Sequence, residues 1–337
     1  MNGRERVYSL ISGNAADRAA VINPVSNATA ESCRALGIRF ADAHSDAAAM
    51  AALAAYAHEN LGFDSVMPYF SVTAEAAALG AEIDWGGNNP KMPTAHSYVV
   101  KELRPLAVPE GYLAKPALAA VINAVRILKK RCKDAFLIGK AIGPWTLCLK
   151  LFGDENTLIA TLDDPAALHT MMDSLCGFTR LFVTAQLEAG ADAVTIADHC
   201  ARNLVGPDAY REFLLPLHKK LCAEFPKRLI LHCCGNVEDR VSDFAKAGFL
   251  MYHFESANPI EKMLSSAKGM PLTGCVNNPA VLLKHSPKQV QAECTSILRA
   301  GIRLLSPECA VPLETRNENL RSLVKAAAEF GHIPAIK

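Results

Sequence analysis

From residue 135 onward, short apolar runs alternate with longer stretches whose apolar positions recur at helical spacing. The runs at 135–139, 193–197, 228–231, 250–254, 271–275 and 302–305 are predicted as strands. Helices are predicted between and after them, at about 165–189, 207–225, 237–247, 259–267, 287–300 and 315–330. Pro207 suits a helix start, where its missing N–H costs nothing. Strands in alternation with helices indicate parallel βαβ construction. Two earlier runs, 20–23 and 65–70, raise the strand number to the eight that a closed barrel requires.

The apolar run 47–57 stops at His58-Glu59-Asn60, short of a membrane span, and predicts a helix. Residues 84–115 are rich in Gly, Pro and Asn, with Gly86-Gly87-Asn88-Asn89-Pro90 at their centre. They read as a long loop, either a lid over the barrel mouth or an ordered surface excursion. The expectation is one domain over 1–337, a (β/α)8 TIM barrel with N-terminal helical additions. A doubly wound open sheet is the alternative, but no G-x-G-x-x-G fingerprint or P-loop supports nucleotide binding there.

In such barrels the chemistry sits at the C-terminal ends of the strands. Asp198 ends the fourth predicted strand, and His232 and Cys234 end the fifth. Glu255 follows the sixth, Asn277 the seventh and Cys309 the eighth. In extended backbone, residues two apart point the same way, so His232 and Cys234 can share one face. One imidazole and two thiolates make a zinc set with an open fourth position, the arrangement of catalytic rather than structural zinc. A structural site would need a fourth ligand, and no Cys-x-x-Cys lies nearby. Glu255 either fills that position as a displaceable carboxylate or forms a salt bridge at the mouth.

Composition narrows the function classes. Lys and Arg total 35 against 34 Asp and Glu, a formal charge of +1, which gives no reason to expect nucleic acid or an anionic membrane as partner. The N-terminal segment is charged and has no apolar signal core after it, so a cytoplasmic protein is expected. The eleven cysteines are scattered and odd in number, which argues against a disulfide framework. Most are expected to be small buried apolar residues.

The ligands and several further segments together resemble the methylcobalamin:coenzyme M methyltransferases of the uroporphyrinogen decarboxylase superfamily. The His-x-Cys and distant Cys of that family fall on His232, Cys234 and Cys309. Gly143-Pro144-Trp145-Thr146, Glu188-Ala189-Gly190-Ala191-Asp192 and Gly235-Asn236-Val237 match its pattern. So do Leu272-Thr273-Gly274-Cys275-Val276-Asn277-Asn278-Pro279 and the stretch from Ser306-Pro307-Glu308-Cys309-Ala310 through Asn317-Glu318-Asn319-Leu320. The resemblance implies zinc and methyl transfer from methylcobalamin, or another methylated corrinoid on a corrinoid protein, to a thiol such as coenzyme M. The thiol would take the open position and displace water or Glu255. Arg202 or the Asn277-Asn278 pair would hold a sulfonate, and Asp198 would orient the acceptor or hydrogen-bond a zinc ligand. Alternatives are transfer to tetrahydrofolate or another acceptor, a decarboxylase, and a non-catalytic zinc-binding or corrinoid-protein-binding module. The decarboxylases of the superfamily carry an arginine after the first strand, and 23–29 has none.

Overall fold

The computed structural model describes every residue except Asn89, Asn203 and Lys337. Eight parallel strands run in chain order: β1 (Ala20–Val21), β2 (Ser65–Val66), β3 (Phe136–Ile142), β4 (Ala193–Ala197), β5 (Leu229–His232), β6 (Met251–Phe254), β7 (Leu272–Val276) and β8 (Leu304–Pro307). From β2 to β8 each strand pairs with its sequence neighbours, and β8 pairs with β1. The seam between β1 and β2 is closed mainly by one residue, Asp64, with Asn23 N–H also donating to Ser65 Oγ (3.2 Å). Asp64 donates its backbone N–H to Val21 O (2.7 Å) and accepts the Val21 N–H on Oδ2 (2.8 Å). With helices around it, this nearly closed sheet is a (β/α)8 barrel.

The two early strands are shorter than the apolar runs that predict them. After Val21, Asn23 forms a turn by accepting the Val25 N–H on its side chain, and Pro24 has no N–H to add to a ladder. Pro68 interrupts the second run in the same way. β3, by contrast, runs three residues past its predicted end, to Ile142.

The longest helix, Pro165–Ala189, matches its expected bounds. Asp164 caps it by accepting the Ala167 N–H, and Gly190 ends it with a positive φ. Leu168, Met171, Met172, Leu175, Phe178 and Phe182 form its buried stripe. The expected helix at 207–225 contains a π turn at Tyr210–Leu214, just before Pro216, whose missing N–H breaks the regular ladder. The expected helix at 237–247 begins only at Val241.

An N-terminal helix, Gly3–Ile11, packs where the strands begin. Arg4 pairs with Asp192 ahead of β4 (2.6 Å), and Arg6 with Asp64 ahead of β2 (2.5 Å). A Cβ on Gly3 would lie 3.0 Å from Asp64 Cα, so this approach suits glycine. Helices Ala30–Leu36 and Ala47–Glu59 follow β1. The 84–115 segment begins in a short antiparallel ribbon that pairs Ile83–Asp84 with Thr94–Ala95. Among the described residues, no helix is long and apolar enough to cross a membrane.

Candidate metal centre at the barrel mouth

Strand register settles which side chains meet. Gly139 faces the helices, since a Cβ there would lie 2.6 Å from Gln186 Oε1. By alternation its neighbour Lys140 faces the barrel interior. Lys140 pairs with Thr195, Ala197 with His232, and His232 with His253, so these residues share the interior side.

His232 and Cys234 come from the end of β5, Cys309 from just beyond β8. Cys234 Sγ lies 3.2 Å from His232 Nε2 and 3.2 Å from Cys309 Sγ, and Cys309 Sγ lies 3.6 Å from His232 Nε2. Tetrahedral zinc with bonds of about 2.0–2.3 Å sets ligand separations of roughly 3.5–3.8 Å. The three atoms are therefore close to the spacing that zinc needs. Nine of the eleven cysteines are buried, and the two that are not are Cys234 and Cys309. Cys309 is held well below the ordinary thiol range by the hydrogen bond from Cys234, and the same bond, with burial, raises Cys234.

His253 fixes the tautomer of His232. Its Nε2 lies 2.7 Å from Pro307 O, an acceptor only, so this nitrogen carries the proton. Its Nδ1 is then the acceptor for His232 Nδ1–H at 2.8 Å. That leaves the lone pair of His232 on Nε2, toward the two sulfurs. Burial holds His253 well below its ordinary pKa, which keeps this relay neutral. Sequence reasoning placed His253 in the sixth strand and gave it no role; its in-register pairing with His232 is the missing signal.

The loops that carry the ligands are braced by buried side chains. Gly235, at positive φ, turns the chain after Cys234. Asn258 donates to Gly235 O (2.9 Å) and accepts from Val237 N–H (2.9 Å). Glu308 accepts the N–H groups of Ser256 and Asn278, both at 2.9 Å, joining the loops after β6 and β7 beside Cys309. Asn23 donates to Cys309 O (3.2 Å) and Asn278 to Ala310 O (2.8 Å).

Asp198 is buried, with both carboxylate oxygens engaged. Oδ1 accepts the Thr146 N–H (2.7 Å) and caps the helix Pro144–Phe152. Oδ2 accepts from His218 Nε2 (3.0 Å), whose Nδ1 accepts from Tyr210 OH (3.0 Å). Thr146 Oγ1 in turn accepts the His199 N–H (2.6 Å). A Cβ at Gly143 would lie 2.2 Å from Asp198 Cγ, so the Gly-Pro-Trp-Thr turn requires its glycine for close approach.

A cavity of about 340 Å³ opens onto the three ligands. Val25, Phe70, Val72 and Met92 give it an apolar side, and Asp198, His199, Lys140 and Lys150 line it as well. Met92 belongs to the 84–115 segment. Burial lowers Lys140 to about 7, against the opposing pull of Cys309 and Glu75.

The other expected site residues stand outside this cavity. Glu255 accepts the Gly235 N–H and is not part of the three-ligand group. Asn277 uses its side chain to cap the following turn at Ala280 N–H and to reach Ser256 Oγ. Arg202 is 68% exposed, with Asp239 at 3.8 Å.

The family model for uroporphyrinogen decarboxylase (URO-D) matches residues 2–330. The methylcobamide:CoM methyltransferase MtbA of Methanosarcina acetivorans is 29% identical over 336 residues, 97% of this chain and 98% of its own length. The methylcobamide:CoM methyltransferase MtaA of Methanosarcina barkeri is 28% identical with the same coverage. A solved methyltransferase structure from Methanosarcina mazei superposes with a TM-score of 0.93 at 27% identity, over 98% of this chain and 99% of that one.

Proposed function

The chain belongs to the uroporphyrinogen decarboxylase (URO-D) family, and from that premise we propose that it is a zinc-dependent methyltransferase that moves a methyl group from a methylated corrinoid to a thiol. The relatives named for transfer to coenzyme M make that thiol the first acceptor to test. The observation that carries the reading is the meeting of His232 Nε2, Cys234 Sγ and Cys309 Sγ within 3.6 Å of one another. Decarboxylation would leave these three ligands without a task.

Zinc bound by this set would lower the pKa of an acceptor thiol in the open position and hold it as the nucleophilic thiolate. The chain supplies the rest. His253 keeps the ligating lone pair of His232 in place, and the Glu308 and Asn278 contacts hold the Cys309 loop. Phe70, Val72 and Met92 give the cavity an apolar side next to the reacting sulfur. Glu255 stands outside the three-ligand group, and its hydrogen bond to Gly235 N–H gives it the role of bracing the turn one residue beyond Cys234. Asp198 acts as a positioning residue, with its oxygens engaged by Thr146 and His218.

Metal analysis and methylcobalamin demethylation test the reading together. One zinc per chain is expected, with demethylation followed by absorbance in the presence of coenzyme M. Cys309→Ala is expected to lose the metal and at least about a hundredfold in rate. Full transfer by that metal-free variant would end the zinc mechanism. Homocysteine and tetrahydrofolate serve as further acceptors; transfer to tetrahydrofolate alone would overturn the thiol assignment.

A further inference from the structure

Lys140 is an anomaly. It occupies the interior of a parallel barrel, a place filled mostly by Val, Ile and Leu. It is 1% exposed, yet forms no ion pair among the described residues. Its Nζ has one acceptor, Val25 O, at a long 3.4 Å, and sits 4.6 Å from the centre of the Tyr69 ring. The nearby carboxylate of Glu75 is taken up by the Ile142 N–H (2.7 Å) and the Tyr69 hydroxyl. An ammonium has three donors, so at least two point at no acceptor. Thr195, its in-register neighbour, also has a buried hydroxyl without a partner among the described residues. Buried donors left unpaired are costly, and such an arrangement calls for an anion or a polar ligand.

The same cavity that exposes the Cys234 and Cys309 sulfurs is lined by Lys140 and, further along its wall, by Lys150. Lys150 is half-buried and forms no ion pair among the described residues. We propose that Lys140 is the anchor for the anionic head group of the acceptor, a short alkyl thiol ending in a sulfonate or carboxylate. The ammonium binds the head group while the thiol reaches the three-ligand set, and the apolar wall of Phe70 and Val72 covers the carbons between. This anchor lies inside the cavity, where Arg202 and Asn277 do not reach. The proposal rests on the thiol-acceptor reading above, and its test includes a readout that does not depend on methyl transfer.

Ethanesulfonate has the head group without the thiol. Calorimetry with the purified zinc-loaded protein is expected to show binding that weakens at least about tenfold in Lys140→Met, with Lys140→Arg retaining most of it. No binding to the wild type, or equal binding to Lys140→Met, overturns the anchor. Kinetics give the second arm, with 2-mercaptoethanesulfonate, 3-mercaptopropionate and the neutral 2-mercaptoethanol as acceptors for methylcobalamin. The wild type should prefer the anionic thiols in kcat/KM, mainly through KM, and Lys140→Met should lose that preference. Retained preference in Lys140→Met, or loss of zinc from it, overturns the assignment and leaves Lys140 as a group that merely balances Cys309. If the wild type methylates no thiol, the proposed function fails, while the calorimetry still decides the role of Lys140.

Discussion

His253 donates one proton to Pro307 O, and this fixes which nitrogen of His232 can bind metal. It touches no reacting atom and acts only through its neighbour. His253→Phe is expected to lower zinc affinity by about 10–100-fold, a typical cost of losing such a partner. Chelator competition measures it, and the remaining activity should track metal occupancy. An unchanged zinc affinity would remove His253 from the site. At the same scale, His44 should make stability depend on acid. Burial lowers its pKa from 6.5 to about 4, with Lys140 adding to the effect, and its Nε2 is buried without a partner. The unfolded chain therefore takes up a proton first, so stability falls as pH drops through 6.5 and levels off below about 4. The loss is about 3 kcal/mol at most. Urea midpoints at pH 7.5 and 4.5 should differ less in His44→Phe than in the wild type.

The element that most shapes the mouth is the turn between β3 and the helix Pro144–Phe152. Gly143 has no cap of its own to offer, and Asp198 from the next strand supplies it. Gly143→Ala must push Asp198 aside and is expected to cost on the order of 2–3 kcal/mol, read as a drop in the denaturation midpoint. A neutral result would mean that Asp198 and its partners His218 and Tyr210 can shift without cost. This turn also shows what the sequence could and could not disclose. Strand ends were legible because apolar runs stop at polar residues, so His232, Cys234 and Cys309 were found at one mouth. The bracing was not legible, because Asn258, Glu308 and His253 act across loops far apart in the chain. Nor was the strain in β7, where Gly274 and Cys275 both adopt positive φ while the residue pattern reads as an ordinary strand. Lys140 drew no attention in the sequence, because the predicted strand stops at 139 and nothing there shows that β3 continues to Ile142 and turns this side chain into the barrel.

For the whole molecule, closure depends on a narrow seam. β1 and β2 have two residues each, and Asp64 joins them while it also binds Arg6 and Arg18. Asp64→Ala leaves the buried Arg6 short of a partner and the Val21 N–H without its carboxylate. A loss of about 3 kcal/mol or more is expected. Amide exchange should accelerate first at Val21 and its neighbours and only later in β4 to β7. Uniform acceleration would mean that the barrel opens as one unit rather than at this seam. The eight-strand count was legible from the pattern, but the seam was not, because two of its hydrogen bonds end on the side chains of Asp64 and Ser65 rather than in a backbone ladder.

The 3.2 Å approach of Cys234 Sγ to Cys309 Sγ has an oxidative consequence. Two thiols this close can give up two electrons and two protons to an oxidant such as diamide and become a disulfide, and a bonded pair of sulfurs no longer offers two thiolates to a metal. Zinc would then act as a protecting group for the sulfurs that hold it. Metal-stripped protein treated with diamide should lose two titratable thiols and its capacity for zinc, and dithiothreitol should restore both; the zinc-loaded protein should keep them throughout.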